Sequence, residues 1–314
     1  MNILITGGAG YLGSVLVSKL LNADSQASYS NLTERNDYDE NSHAIKVDKL
    51  IVYDNLMYRQ VCLTDNLYRG NFDFIYGDVR DQSKLLKYVK TADIIVPLAA
   101  IVGFPACDRD PKLAKEINTE QVKFILNNTS SNQKIIFPNT NSGYGLGQGD
   151  TLCTEETPLD PISVYGKTKC ESEKMLLDSG RAIALRLATV FGVSQRMRLD
   201  LLVNDFTYKA VNDGYIVLFE KDFKRNFIHI RDVALTFIYM MNNYNKFVGN
   251  VFNVGLSNAN LSKMELANEI KKFIPKFSIQ LDNFFEDPDK RNYIVSNKKI
   301  ELTGWKPYYT LQDG

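Results

Sequence analysis

Short apolar runs alternate with amphipathic stretches through the first 187 residues. Asn2–Thr6, Leu50–Tyr53, Phe72–Tyr76, Ile94–Pro97, Lys134–Pro138 and Ala182–Leu187 are dominated by Ile, Val, Leu and aromatic side chains, as expected of strands buried on both faces. Between them, Ser14–Leu21, Gln82–Val89, Pro111–Asn127 and Tyr165–Leu177 read as helices. This alternation predicts an α/β fold, a doubly wound parallel sheet with helices on both faces, whose ligands lie beyond the carboxyl ends of the strands. Past residue 187 the pattern loosens. Leu199–Val211, Val233–Met241 and Ser262–Phe273 are helical, and Tyr215–Phe219, Phe227–Ile230 and Val251–Val254 are strand-like. We expect a first domain over residues 1–186, with 226–258 returning to it, and a smaller lobe formed mainly by 187–314. A polar stretch, Asn22–Asp48, separates the first helix from the second strand and is far longer than the ~2–6 residues usual there. It reads as a surface insertion or as a flap over a bound ligand.

The charge balance narrows the function classes. Lys+Arg and Asp+Glu both number 37, so the formal net charge is zero, and no long basic run occurs. Nucleic acid and an anionic membrane surface are therefore poor partners. The longest apolar stretch, Ile94 to Ala106, is broken by Pro97 and falls short of the ~20 residues a membrane span needs. With no basic leader before the first strand and four scattered cysteines, a reduced, cytoplasmic protein is expected. Two histidines give no basis for a His-based metal site, so no metal is expected.

Candidate chemistry starts at the first strand's end. Gly8-x-Gly10-x-x-Gly13 follows a strand and opens a helix, the context in which this spacing cradles a dinucleotide pyrophosphate. The fold is thus expected to be of the Rossmann type, with Gly7, Gly10, Tyr11, Leu12 and Gly13 against the phosphates. Asp54 ends the second strand, the place of the acid that holds the adenine ribose, and Asn55 follows it. A carboxylate there repels a 2′-phosphate, which favours NAD over NADP. Asp78, accepting from the adenine amino group, and Val79 would meet the adenine. The small Leu98-Ala99-Ala100 segment lets the cofactor pass, and Asn118 completes the cofactor set.

Tyr165 and Lys169 lie four apart on a predicted helix, so they share a face. A phenol is a poor base at neutral pH, but a nearby ammonium favours its phenolate. Thr140, on the loop after the strand Lys134–Pro138, could hydrogen-bond the same substrate hydroxyl. Together these are the parts of a proton-transfer site beside a hydride acceptor.

These motifs resemble the extended short-chain dehydrogenases/reductases, specifically the nucleotide-sugar epimerase/dehydratase family that includes UDP-galactose 4-epimerase. The resemblance rests on Thr-Gly-Gly-Ala-Gly-Tyr-Leu-Gly at 6–13, Tyr-Asp-Asn-Leu at 53–56, Gly-Asp-Val-Arg-Asp at 77–81, Asn-Thr-Asn-Ser-Gly-Tyr-Gly at 139–145, Tyr-Gly-Lys-Thr-Lys at 165–169 and Arg-Asn-Phe-Ile-His-Ile-Arg-Asp-Val at 225–233. It implies catalytic Thr140, Tyr165 and Lys169, a bound NAD, a nucleoside-diphosphate sugar as substrate and a homodimer. Family 4,6-dehydratases carry Asp-Glu after the Thr and uronate decarboxylases a Glu. Asn141-Ser142 supplies neither, which leaves redox chemistry at one carbon, expected to be C4. The resemblance places Thr140, Asn141, Ser142, Thr189, Arg196, Arg198, Asn204, Arg225 and Arg291 at the substrate, with Arg225 and Arg291 gripping the diphosphate. Val102 stands where galactose-type epimerases have a Lys, and Thr189 where most members have an Asn. The substrate half looks most like a branch similar to the GDP-heptose 4-dehydrogenases. His229, in an apolar strand, reads as structural. Epimerase and net dehydrogenase both stay open, and the competing class is a non-catalytic NAD-responsive binding protein.

Overall fold

The computed structural model describes residues 1–22, 45–282 and 291–314. Its main sheet has seven strands. They are β1 (Asn2–Thr6), β2 (Lys49–Asp54), β3 (Phe72–Tyr76), β4 (Ile94–Pro97), β5 (Lys134–Thr140), β6 (Ala182–Leu187) and β10 (Val251–Val254). They lie in the order β10-β6-β5-β4-β1-β2-β3, and every pairing is parallel. The chain winds from β1 outward through β2 and β3, then returns to build β4, β5 and β6 on the other side. The reversal falls between β1 and β4, whose carboxyl ends open the crevice where such sheets take ligands.

Helices α1 (Tyr11–Asn22) and α8 (Ile230–Asn242) cover one face of the sheet, burying Leu16, Val17, Leu20, Phe237 and Met241 against Ile3, Ile5 and Val52. The other face carries α2 (Gln82–Thr91), α3 (Phe104–Arg109), α4 (Pro111–Lys115), α5 (Gln121–Asn128) and α6 (Val164–Asp178), with Leu85, Ile125 and Leu176 against Leu4, Ile95 and Phe137. The near-continuous apolar strands follow from this two-sided burial.

The smaller lobe combines a three-stranded sheet, β11 (Asn260–Ser262), β9 (Lys224–His229) and β7 (Thr189–Phe191), with a pair, β12 (Ser278–Leu281) and β8 (Tyr215–Leu218). Helices α7 (Leu202–Asn212) and α10 (Lys263–Phe273) pack on them around Phe191, Phe206, Phe227 and Phe277. Two short helices, α9 (Tyr244–Phe247) and α11 (Lys298–Glu301), instead add Tyr244 and Ile300 to the core of the main sheet. The segment 226–258 divides between the two parts. Its strand β10 joins the main sheet, whereas β9 pairs with β7 and β11.

Several boundaries differ from the sequence reading for local reasons. β5 runs through Thr140 because β6 keeps pairing with it as far as Thr140↔Leu187, so Thr140 is the last strand residue rather than a loop residue. The helix expected over Pro111–Asn127 is interrupted by a π turn at Glu116–Glu120. His229 precedes α8 as its N-cap residue, which moves Ile230 from strand to helix. The three-residue β7 and β11 carry too few residues to show a period. Of the insertion Asn22–Asp48, residues 23–44 lie outside the described residues. No helix among the described residues is long and apolar enough to cross a membrane, and no cluster of metal-ligating side chains occurs among them.

Candidate active site

The glycine turn is shaped by close contact. Gly7 has φ +69°, and a Cβ there would stand 2.5 Å from the Ala99 backbone nitrogen. A Cβ on Gly13 would lie 2.6 Å from Gly8 Cα, so only glycine lets α1 start this close to the turn. The first-turn N–H groups of α1, which Tyr11, Leu12 and Gly13 provide, have no helical carbonyl to bond and suit an anion. The Asp54 carboxylate accepts from Ala9 N at 3.0 Å and from Leu56 N at 2.8 Å, tying the turn to the end of β2. Burial raises its pKa, and these two hydrogen bonds oppose the rise. This turn, with an acid at the end of β2 and a helix N-terminus facing the crevice, fits a dinucleotide. Gly7, Gly10, Tyr11, Leu12 and Gly13 would hold its pyrophosphate, and Asp54 its adenosine ribose.

Other expected cofactor residues have a different setting. Both Asp78 oxygens are already engaged. Arg80 folds back to donate to them at 2.9–3.0 Å through its backbone and guanidinium, and Asn55 Nδ2 donates at 3.3 Å. The clasp holds the Asp78 carboxyl down at about 2. The expectation that Asp78 accepts from an adenine amino group therefore meets a filled acceptor. Leu98 N donates to Thr6 O, and Ala99 O accepts from Gln121 Nε2 at 3.0 Å. Gln121 also receives the Thr6 hydroxyl at 2.8 Å, binding the end of β1 to the Leu98–Ala100 loop. Asn118 is buried and fastens the residue after that loop. It brackets Ile101 through both backbone atoms, at 2.9 and 3.0 Å, and reaches Thr168 Oγ1 at 3.1 Å.

Helix α6 sets the reacting groups. Ser163 caps it by accepting from Gly166 N, which puts Tyr165 in the first turn and Lys169 one turn further. Thr140 Oγ1 donates to Ser142 Oγ at 2.9 Å and accepts from Ser142 N, and its hydroxyl favours the ionised form of the Tyr165 phenol. Arg291 donates to Ser142 Oγ. A chain of hydrogen bonds thus runs from Arg291 through Ser142 to Thr140.

Burial pushes the Tyr165 phenol up to about 12, while the Arg198 and Arg291 guanidiniums and Thr140 pull the other way. Burial pushes Lys169 down to about 7, against the opposing influence of Cys170, Glu173 and Cys107. Arg198 and Arg291 act on Tyr165, and Lys169 sits over the ring of Phe137 at 3.9 Å.

A buried frame supports this segment, and sequence reasoning missed it. Glu173, one turn beyond Lys169, receives Arg186 at 2.7 Å and Asn139 Nδ2 at 2.5 Å. Arg186 also reaches the Tyr144 hydroxyl at 2.9 Å, which bonds Asn253 Oδ1 at 2.7 Å. The residues flanking Thr140–Ser142 on both sides are therefore pinned to α6 and β6. The signal was present in the spacing, since Tyr165, Lys169 and Glu173 repeat every four residues on one helix face. Asn141, within the pinned segment, is buried, and both atoms of its amide lack a partner.

The remaining expected substrate residues divide. Arg198 pairs with Asp200 and bears electrostatically on Tyr165. Arg225 is buried, donates to Lys224 O and lies 5.4 Å from the Tyr293 ring centre. Thr189 opens β7 opposite Phe227. Asn204 spends its amide inside the protein, on Gly192 N, the Tyr11 hydroxyl and Arg198 O. Arg196 stacks on Tyr58 at 4.4 Å, beside the glycine turn. His229 is buried between Phe191 and Tyr309, and its pKa is pushed down to about 4 by burial.

Residues 3–255 match the NAD dependent epimerase/dehydratase family. The chain belongs to that family. Its members include a CDP-paratose 2-epimerase from Salmonella typhi, 28% identical over 100% of this chain and 97% of that protein. A UDP-glucose 4-epimerase from Lactobacillus helveticus is 25% identical over 100% of this chain and 94% of that one. Among solved structures, a dTDP-glucose 4,6-dehydratase from Streptomyces venezuelae superposes with a TM-score of 0.82 at 21% identity, over 100% of this chain and 94% of its own. The family's cofactor is the NAD expected from the glycine turn and Asp54, and the seven-stranded parallel sheet is the fold expected from the strand–helix alternation.

Proposed function

We propose that this protein oxidises C4 of a nucleoside-diphosphate sugar to a 4-keto species. The observation that carries the reading is Tyr165 and Lys169 one turn apart in the buried part of α6, with Thr140 at the end of β5 favouring the ionised phenol. NAD, when bound, supplies the hydride acceptor. Tyr165 takes the proton from the C4 hydroxyl at its phenolic oxygen as the C–H hydride leaves. Thr140 Oγ1 holds the same hydroxyl in place, having Ser142 as its second partner. A buried phenol is a weak acid, so ionisation depends on the cationic surroundings that Arg198 and Arg291 provide. Asn141 and Ser142 bring no carboxylate to the sugar, which supports redox at one carbon over 4,6-dehydration or decarboxylation. Arg225, Arg291 and Thr189 are placed in this reading on the diphosphate. We further propose a cytoplasmic homodimer.

Return of the hydride to the other face of the keto sugar gives an epimer, and release gives a net dehydrogenase. A panel of UDP-, GDP-, CDP- and dTDP-sugars, including heptoses, tests the reading through absorbance in the reduced-nicotinamide band and product mass and NMR. A product two hydrogens lighter with a rising band means a 4-dehydrogenase. An isomer with no lasting band means an epimerase. A protein that binds NAD but responds to no sugar nucleotide would be a binding module instead, contrary to the proposal.

A further inference from the structure

One arginine of the smaller lobe is held against the cofactor's phosphate site. The loop after β7 is fastened to the start of α1 by several contacts. The Tyr11 hydroxyl donates to Gly192 O at 2.6 Å. Ser194 Oγ donates to Tyr11 O at 2.7 Å and lies 2.9 Å from Ser14 Oγ. Asn204 locks the same loop through Gly192 N and the Tyr11 hydroxyl.

Arg196, two residues past Ser194, is carried over the glycine turn by this fastening. Its guanidinium carbon lies 4.4 Å from the ring centre of Tyr58, on the loop after β2. Its charge is felt by Cys62, whose thiol donates to Ala9 O within the turn. The guanidinium makes no side-chain hydrogen bond and no ion pair among the described residues. Two loops, one tied to Tyr11 O through Ser194 and one to Ala9 O through Cys62, thus meet through a planar cation stacked on an aromatic ring. Stacking leaves the edge N–H groups of a guanidinium available for phosphate oxygens.

We infer that Arg196 and Tyr58 form a clasp across the cofactor's pyrophosphate, and that this pair slows release of the dinucleotide. Arg196 is then a cofactor residue, not a residue of the sugar nucleotide. The inference rests on the NAD-binding part of the proposed function and deepens it.

The test is the rate of NAD release from the full chain, followed by exchange of bound labelled NAD against excess unlabelled NAD, without any sugar nucleotide. Tyr58 is 54% exposed, so its replacement leaves the core intact. Tyr58→Ala and Arg196→Gln are each expected to speed release at least ~10-fold, and the double variant little more than either alone, because the two act as one unit. Lys174→Gln, at an exposed position of α6, serves as the control and leaves the release rate within about twofold. Release rates unchanged in both clasp variants, with a raised KM for the sugar nucleotide in Arg196→Gln, would overturn the inference. The assay needs no turnover, so slow release with no sugar reaction would sink the C4 chemistry and leave the clasp standing.

Discussion

Lys169 holds its ammonium nitrogen 3.9 Å from the centre of the Phe137 ring, on the same helix face as Tyr165 and Glu173. The ring is neutral and the surroundings are dry, so the charged amine is disfavoured and its pKa falls from 10.5 to about 7. Between those two values the unfolded chain binds a proton that the folded protein does not. Stability therefore rises with pH across that window, and the full penalty is present below it. Lys169→Met is expected to raise the Tm of the ligand-free protein by several degrees near about pH 6, with the gain fading toward about pH 10, in thermal melts across that range. The same variant should lose turnover by about 100-fold or more.

Glu173 and Arg186 are both buried and paired at 2.7 Å. Removing one partner leaves a charge without compensation. Glu173→Leu is expected to destabilise the protein by roughly 3–5 kcal/mol, measured by urea unfolding. Replacing Arg186 by Leu in the same chain should recover part of the loss. Activity should fall in both variants, because Asn139, the neighbour of Thr140, loses its acceptor.

Arg291 reaches Ser142 and lowers the pKa of Tyr165. Without that charge the phenol holds its proton more tightly. In Arg291→Met the acid limb of the kcat/KM profile should therefore move to higher pH, and KM for the sugar nucleotide should rise ~10-fold or more. A profile that keeps its position would separate Arg291 from Tyr165.

Asn141 and Ser142 give the site no carboxylate next to the sugar. Products should keep every oxygen of the substrate, which mass spectrometry reads directly. A product lighter by one water would require an acid and base that this segment does not provide.

Much of this was legible in the chain. The buried strands appear as unbroken apolar runs, the glycine spacing marks the turn into α1, and Tyr165 and Lys169 share a face through helical geometry alone. What stayed hidden depends on contacts between segments far apart in sequence. Asp78 looked like a ligand acceptor, but Arg80 fills it, because nothing in a sequence shows which way a flexible guanidinium folds. Asn118 and Asn204 looked like binding residues and serve as internal brackets, since a short amide reads the same in either role. The place of the Lys169 amine over Phe137 has the same origin. A four-residue spacing brings two side chains to one face, but the ring of Phe137, from a distant strand, decides where the amine settles.

The central claim is that Tyr165 moves the C4 proton, and Tyr165→Phe tests it most directly. The variant keeps the ring and removes only the hydroxyl. Turnover of the responding sugar nucleotide should drop by at least ~1,000-fold while NAD and the sugar nucleotide still bind within a few-fold of wild type. Turnover within about tenfold of wild type, with binding intact, would contradict the account and assign the proton transfer to another group.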